Sequence, residues 1–228
     1  MIPALILYLF KKFRKMDNLI KSFLNFKKIA LKLKAVFFLL AILATLSFTD
    51  KRIDKVLTYQ VVKNDKVIGT IEINKNAFSD STVYNLKSRI SAKFLFKFCV
   101  TGKEKSVFRN GVLVYSSVHR TLNNKTKVNH KIVLKNGRYN LLLDGESVSS
   151  NIDPINRNLI TLYFNEPIGV TAVFCDNLKK MVPISPLGNG RYRVDFEDGK
   201  HNVFHYSNGT CVKVEAISKF FNVVLIPA

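Results

Sequence analysis

Four histidines, His119, His130, His201 and His205, hold most of the side-chain chemistry that this sequence could offer. His201 and His205 stand four residues apart, the spacing of a metal pair on a helix. The residues around them alternate as in a strand, where four positions span about 13 Å, too far for one ion. The glutamate of a His-Glu-x-x-His motif is missing as well. No Gly-x-Ser-x-Gly elbow, P-loop or Gly-x-Gly-x-x-Gly following a strand occurs. Glu166, the one acid in an otherwise apolar stretch, would need a second carboxylate to work as a glycosidase acid, and none stands out. Before Pro167 it reads as a turn residue whose carboxylate accepts backbone N–H groups. These residues therefore point to recognition and packing, and we expect no catalytic site, cofactor or metal.

The elements that must position them are hairpins. Asn-Gly and Asp-Gly between alternating runs mark type I′ turns, because both central residues need positive φ. Asn110-Gly111 predicts Phe108 opposite Leu113. Asn136-Gly137 pairs Leu134 with Tyr139, Ile132 with Leu141 and His130 with Leu143. A two-residue turn at Asn123-Asn124 pairs Tyr115 with Ile132, Ser117 with His130 and His119 with Val128. Together these registers put Phe108, Leu113, Tyr115, Ser117, His119, His130, Ile132, Tyr139 and Leu141 on one inner face. Further along, Asp198-Gly199 and Asn208-Gly209 predict Tyr192, Val194, Phe196, Val203, Val212 and Val214 inside, with Arg191, Arg193, Asp195, Lys213 and Glu215 outside. His201 and His205 fall inside by the same arithmetic. The histidines are then either core residues bonded to a neighbour or, with Tyr115, Ser117 and Tyr139, the polar lining of an internal cavity.

Further turns are read at Asn64-Asp65 and Asp144-Gly145, and Phe94, Phe96 and Phe98 alternate along a long strand. Residues 147–158, rich in Ser, Asn and Asp, read as a loop, followed by a strand over 159–164 and another over 170–175. Pro183, Pro186 and Gly188-Asn189-Gly190 suggest an irregular link, and residues 220–226 close the sheet. No stretch after residue 50 has a convincing helical period. The fold class is all-β: an antiparallel meander of roughly ten or more strands forming a strongly curved sheet or half-barrel.

Residues 1–47 stand apart. They carry nine basic residues and one acid, then the apolar run 35–47, which ends in small residues. This is the pattern of a signal peptide cleaved after Ser47, or of an uncleaved N-terminal anchor helix. The run is shorter than a membrane-spanning helix needs, and Met16 is a credible alternative start. Residues 48–228 form a single domain. Of the formal net charge of +20, +8 belongs to the leader. The rest is scattered lysine, which reads as a solvated surface or as attraction to an anionic one. No nucleic-acid motif accompanies it. Three cysteines, Cys99, Cys175 and Cys211, are too few and too scattered for a disulfide framework. Asn124-Lys125-Thr126 and Asn208-Gly209-Thr210 match the glycosylation sequon, which means nothing if the source is bacterial.

Four stretches carry a resemblance: Tyr59-x-Val61 with Val67-Ile68-Gly69; Lys105-Ser106-Val107-Phe108-Arg109-Asn110-Gly111-x-Leu113; Leu162-Tyr163-Phe164-Asn165-Glu166-Pro167-x-Gly169; and Asp198-Gly199-Lys200-x-Asn202-x-Phe204-x-Tyr206. Over nearly all of the chain after residue 55 it resembles an uncharacterised family of exported Bacteroidota proteins known only as a domain of unknown function. More distantly, its layout is similar to the open half-barrels of periplasmic lipoprotein carriers, which implies a concave face for acyl chains. The resulting expectation is an exported, non-enzymatic protein of the periplasm or cell envelope. It would bind a lipid or apolar small molecule, or serve an envelope protein partner, and meet the membrane only through its N-terminal segment. The alternatives are a module that pairs through a sheet edge and, third, a hydrolase.

Overall fold

In the computed structural model, residues 53–93, 97–143, 146–219 and 221–228 are described. The expected leader, Phe94, Phe96, the Asp144-Gly145 turn and Phe220 lie outside them. The chain folds as one 14-stranded antiparallel sheet, bent so strongly that its inner face forms a core. An N-terminal meander comprises β1 (Ile53–Lys63), β2 (Lys66–Ala77), β3 (Ser81–Lys93), β4 (Lys97–Arg109), β5 (Val112–Leu122), β6 (Lys125–Lys135), β7 (Arg138–Leu143) and β8 (Glu146–Ser150). A C-terminal meander comprises β9 (Ala172–Cys175), β10 (Lys180–Gly188), β11 (Arg191–Asp195), β12 (His201–Ser207), β13 (Thr210–Ile217) and β14 (Val223–Pro227). The last strand joins the two by pairing with both β13 and β1. β8 and β9 remain as the two edges, so the sheet is curved but not closed.

The turns behave as their residues require. Asn110, Asn136 and Asn208, and the glycines that follow them, all have positive φ. Asn136-Gly137 fixes the three β6–β7 pairs named above, and Phe108 faces Leu113 across Asn110-Gly111. Curvature needs close approach at Gly69. There a Cβ would lie 2.3 Å from the Arg89 carbonyl oxygen, and β2 bulges beside it, where Val61 and Val62 pair with Gly69 and Val67 and leave Ile68 as the extra residue.

Other registers differ from the expectation, for one physical reason. Bulges at Val107/Phe108 and Arg120/Thr121 each insert a residue, so Ser116 and Val118 turn inward. Tyr115, Ser117 and His119 take the opposite face from the one expected. The Asp198-Gly199 connection has three residues, Glu197–Gly199, closed by Phe196 N donating to Lys200 O (2.8 Å). That odd count flips β12: Phe204 faces Tyr192 and Asn202 faces Val194. Val203, His201 and His205 therefore take the outer face, where Val203 is nonetheless buried, and a bulge at His205/Tyr206 leaves Val212 exposed while Val214 stays buried. Residues 147–150, expected as loop, belong to β8. The strand expected over 159–164 is largely a 3₁₀ helix, Leu159–Tyr163, and the supposed proline link is β10, paired first to β9 and then to β11.

Between β8 and β9, residues 151–171 turn into the concavity and bury Ile155, Ile160, Leu162 and Phe164. Tyrosine hydroxyls tie this segment down. Tyr139 Oη donates to Leu113 O (2.9 Å) and accepts from Ile155 N (3.0 Å), and Tyr206 Oη donates to Leu162 O (2.5 Å).

Candidate functional site

The concavity is filled unevenly. Towards β4–β7 the chain covers itself. Leu113 N donates to Ile155 O (2.8 Å), and Phe174 N on β9 donates to Arg157 O (3.0 Å), so the connecting segment lies between the two meanders. The turn after β9 then inserts Asp176, 3% exposed, against β5 and β6. Ser116 Oγ donates to Asp176 Oδ1. Asn158 Nδ2 donates to Asp176 Oδ2 and to Ser106 Oγ, both at 2.8 Å. His130 Nε2 donates to the Asp176 carbonyl oxygen (2.8 Å), which sets its tautomer. Burial pushes the Asp176 carboxyl up to about 7, aided by the charge of Glu104 and opposed by its hydrogen bonds to Ser116 and Asn158. Burial likewise lowers His130, so the neutral imidazole is favoured. Both groups are satisfied within the network, and they act as a clasp between the two ends of the sheet.

Elsewhere the concavity stays open. At the rim that carries the 64–65 and 123–124 turns, a groove of about 260 Å³ runs between β2–β4, the 3₁₀ helix and β12. Alternation on β2, β3 and β4 supplies its apolar walls: Ile71, Leu86, Ile90 and Val100, facing Tyr163 and Phe204. Tyr163 is held edge-on between Tyr59 and Phe204, with ring centroids 5.4 and 5.6 Å away. One charged pair stands in the wall, Arg120 Nη2 to Glu104 Oε1 at 2.5 Å, with side chains 40% and 17% exposed. A second recess of about 280 Å³ shares Arg120, Leu159 and Asn202 with the groove and is floored by Cys175, Leu178 and Phe196. A larger depression of about 470 Å³ at the opposite rim is lined mostly by polar residues such as Asp80, Ser81, Asn110 and Arg157.

The residues singled out in the sequence are distributed as follows. Leu113, Ile132, Tyr139 and Leu141 pack with the segment that bears Ile155. Phe108 is buried against Tyr84, with centroids 5.8 Å apart. His130 sits in the Asp176 clasp, and Tyr115, Ser117 and His119 lie on the outer face. The groove residues Ile90, Val100, Glu104, Arg120, Asn202 and Phe204 were not anticipated. The turn registers read from sequence leave Arg120 and Asn202 off the inner face; the bulges and the flipped β12 bring them inside. Arginine and glutamate paired on each other supply polarity without a free nucleophile or base. Cys175 and Cys211 are buried, unpaired thiols, pushed up by burial.

Residues 59–228 match the family described as DUF6134, a domain of unknown function. A crystal structure described as a beta-barrel-like protein of domain of unknown function DUF1849, from Brucella abortus, is similar in fold. Its TM-score is 0.52 at 10% identity, over 77% of this chain and 96% of that one. Among curated proteins, none matches this chain.

Proposed function

The chain belongs to the DUF6134 family, and from the geometry of its interior we propose that it is a non-enzymatic binding protein for a single-chain apolar or amphipathic molecule. One observation carries this reading: the chain covers part of the concavity with its own 151–171 segment, yet leaves a groove whose walls Leu86, Ile90 and Val100 are half-exposed above the buried Ile71 and Phe204. Exposed apolar walls cost free energy in water, at roughly 25 cal/mol per Å², and a ligand removes that cost. The groove and the recess beside it reach the lower part of the roughly 300–1,000 Å³ typical of small-molecule sites. The Arg120–Glu104 pair and Asn202 place polar groups beside the apolar wall, as an amphiphile requires.

The proposed setting is the cell envelope, as the basic segment and apolar run before residue 48 suggest. Intact-mass analysis of the envelope fraction checks export: the mature chain should begin near residue 48. Binding is checked by titrating purified protein with a fluorescent undecanoic-acid probe. We expect saturable enhancement at micromolar protein, reversed by dodecanoic acid and lost in Ile90→Glu, on the half-exposed wall. No enhancement from the wild-type protein would end the binding reading.

A further inference from the structure

Beyond the recess, a fourth pocket of about 520 Å³ opens between the start of β6 and the turn that joins β9 to β10. Its lining differs in kind from that of the groove. Lys127, Asn129 and His130 come from β6, Asn177 and Lys179 from the turn, and no lining residue is acidic. Asn177 also lines the apolar recess, which in turn shares Arg120, Leu159 and Asn202 with the groove. Groove, recess and cationic pocket are thus neighbours along one rim, each sharing lining residues with the next.

The local field agrees with that composition. Burial lowers His130 most; its hydrogen bond to the Asp176 carbonyl opposes that, the charges of Lys179 and Arg120 add to the lowering, and Glu104 acts against them. The buried Asp176 carboxyl, pushed up to about 7, supplies little compensating negative charge below that pH.

We propose that this pocket receives the anionic head group, a carboxylate or phosphate, of the molecule whose chain occupies the groove, with Lys127 and Lys179 as its partners. The assignment rests on the binding reading above and narrows its ligand from any apolar molecule to an anionic amphiphile. Lysine suits this role as a mobile point charge that meets several oxygen geometries.

The test compares head groups on one chain length. Dodecanoate, dodecyl phosphate, dodecanol and inorganic phosphate are titrated against the undecanoic-acid probe, and directly by calorimetry, on wild type and on the double variant Lys127→Gln/Lys179→Gln. Lys131→Gln, on the outer face of the same strand, serves as the control. The two anions should bind about tenfold or more tightly than dodecanol. That advantage should vanish in the double variant and persist in the control, with dodecanol binding unchanged throughout. Equal affinities in wild type, or an advantage that survives the double variant, would overturn the head-group site and leave the groove standing. Inorganic phosphate binding as tightly as dodecyl phosphate would make this a free-anion site instead and overturn the amphiphile assignment. If none of the dodecyl compounds binds, the groove reading falls and the head-group site with it.

Discussion

Two regions of one concave face solve the same problem differently. Where β4–β7 curve round, the chain supplies its own cover. Ile155 fills the space, Tyr139 holds Ile155 in place, and Asp176 clasps the cover from the other end of the sheet. Where β2–β4 face β12, comparable apolar residues are left half-exposed along a groove. The difference lies in polar anchoring. The covered region is anchored by buried hydrogen bonds through Tyr139, Asn158, Asp176 and the Ile155 backbone, whereas the groove has one charged pair at its edge. Buried polar groups must be satisfied, so a covering segment can only stay where partners exist for its backbone. The groove wall offers few such partners, which suits a ligand without a backbone.

Breaking each region should therefore give different phenotypes. The largest effect is expected at the cover. Ile155→Asp places a charge where the side chain is 1% exposed, costing about 4 kcal/mol or more; a collapsed urea midpoint is the readout.

The clasp comes next, and it carries a pH signature. The folded pKa of Asp176 is raised to about 7 from 3.8. Between those values the folded state holds a proton that the unfolded state has lost, so stability falls as pH rises from about 4 to 7, by at most roughly 1.4 kcal/mol per unit, and then levels. His130, lowered by burial, acts with the opposite sign below 6.5, where its unfolded form binds the extra proton. Above 6.5 the decline belongs to Asp176. Urea unfolding at pH 6.5 and 8 should show that decline in wild type and its absence in Asp176→Asn.

A smaller loss, about 1–2 kcal/mol, is expected for Tyr139→Phe, which leaves Leu113 O and Ile155 N without their shared hydroxyl. The smallest stability effect belongs to the groove. Ile90→Glu, on a half-exposed wall, should cost about 1 kcal/mol or less while abolishing probe binding. Equal destabilisation by Ile155→Asp and Ile90→Glu would erase the distinction between a covered and an open region.

The local part of this architecture was legible in the residues. Asn136-Gly137 set β6 against β7 correctly because a two-residue turn with both φ positive admits one register. Alternation identified the strands, and the lack of helical periodicity identified the class. Faces were lost wherever an extra residue entered. The bulges at Val107/Phe108, Arg120/Thr121 and His205/Tyr206 have no residue signature, since a bulge answers the curvature of the whole sheet. Asp198-Gly199 looked like a two-residue turn, yet Glu197 joins it, and one residue reverses β12. Asp176, in a run that reads as a plain turn, becomes a buried clasp only because β14 pairs with β1 and the two ends of the sheet are brought face to face. The residue types and turn chemistry of the sequence determined an antiparallel meander of this class. Which side chains face inward, which are covered and where the groove stays open were decided by long-range closure, because each is the sum of small register shifts that only the completed curvature selects.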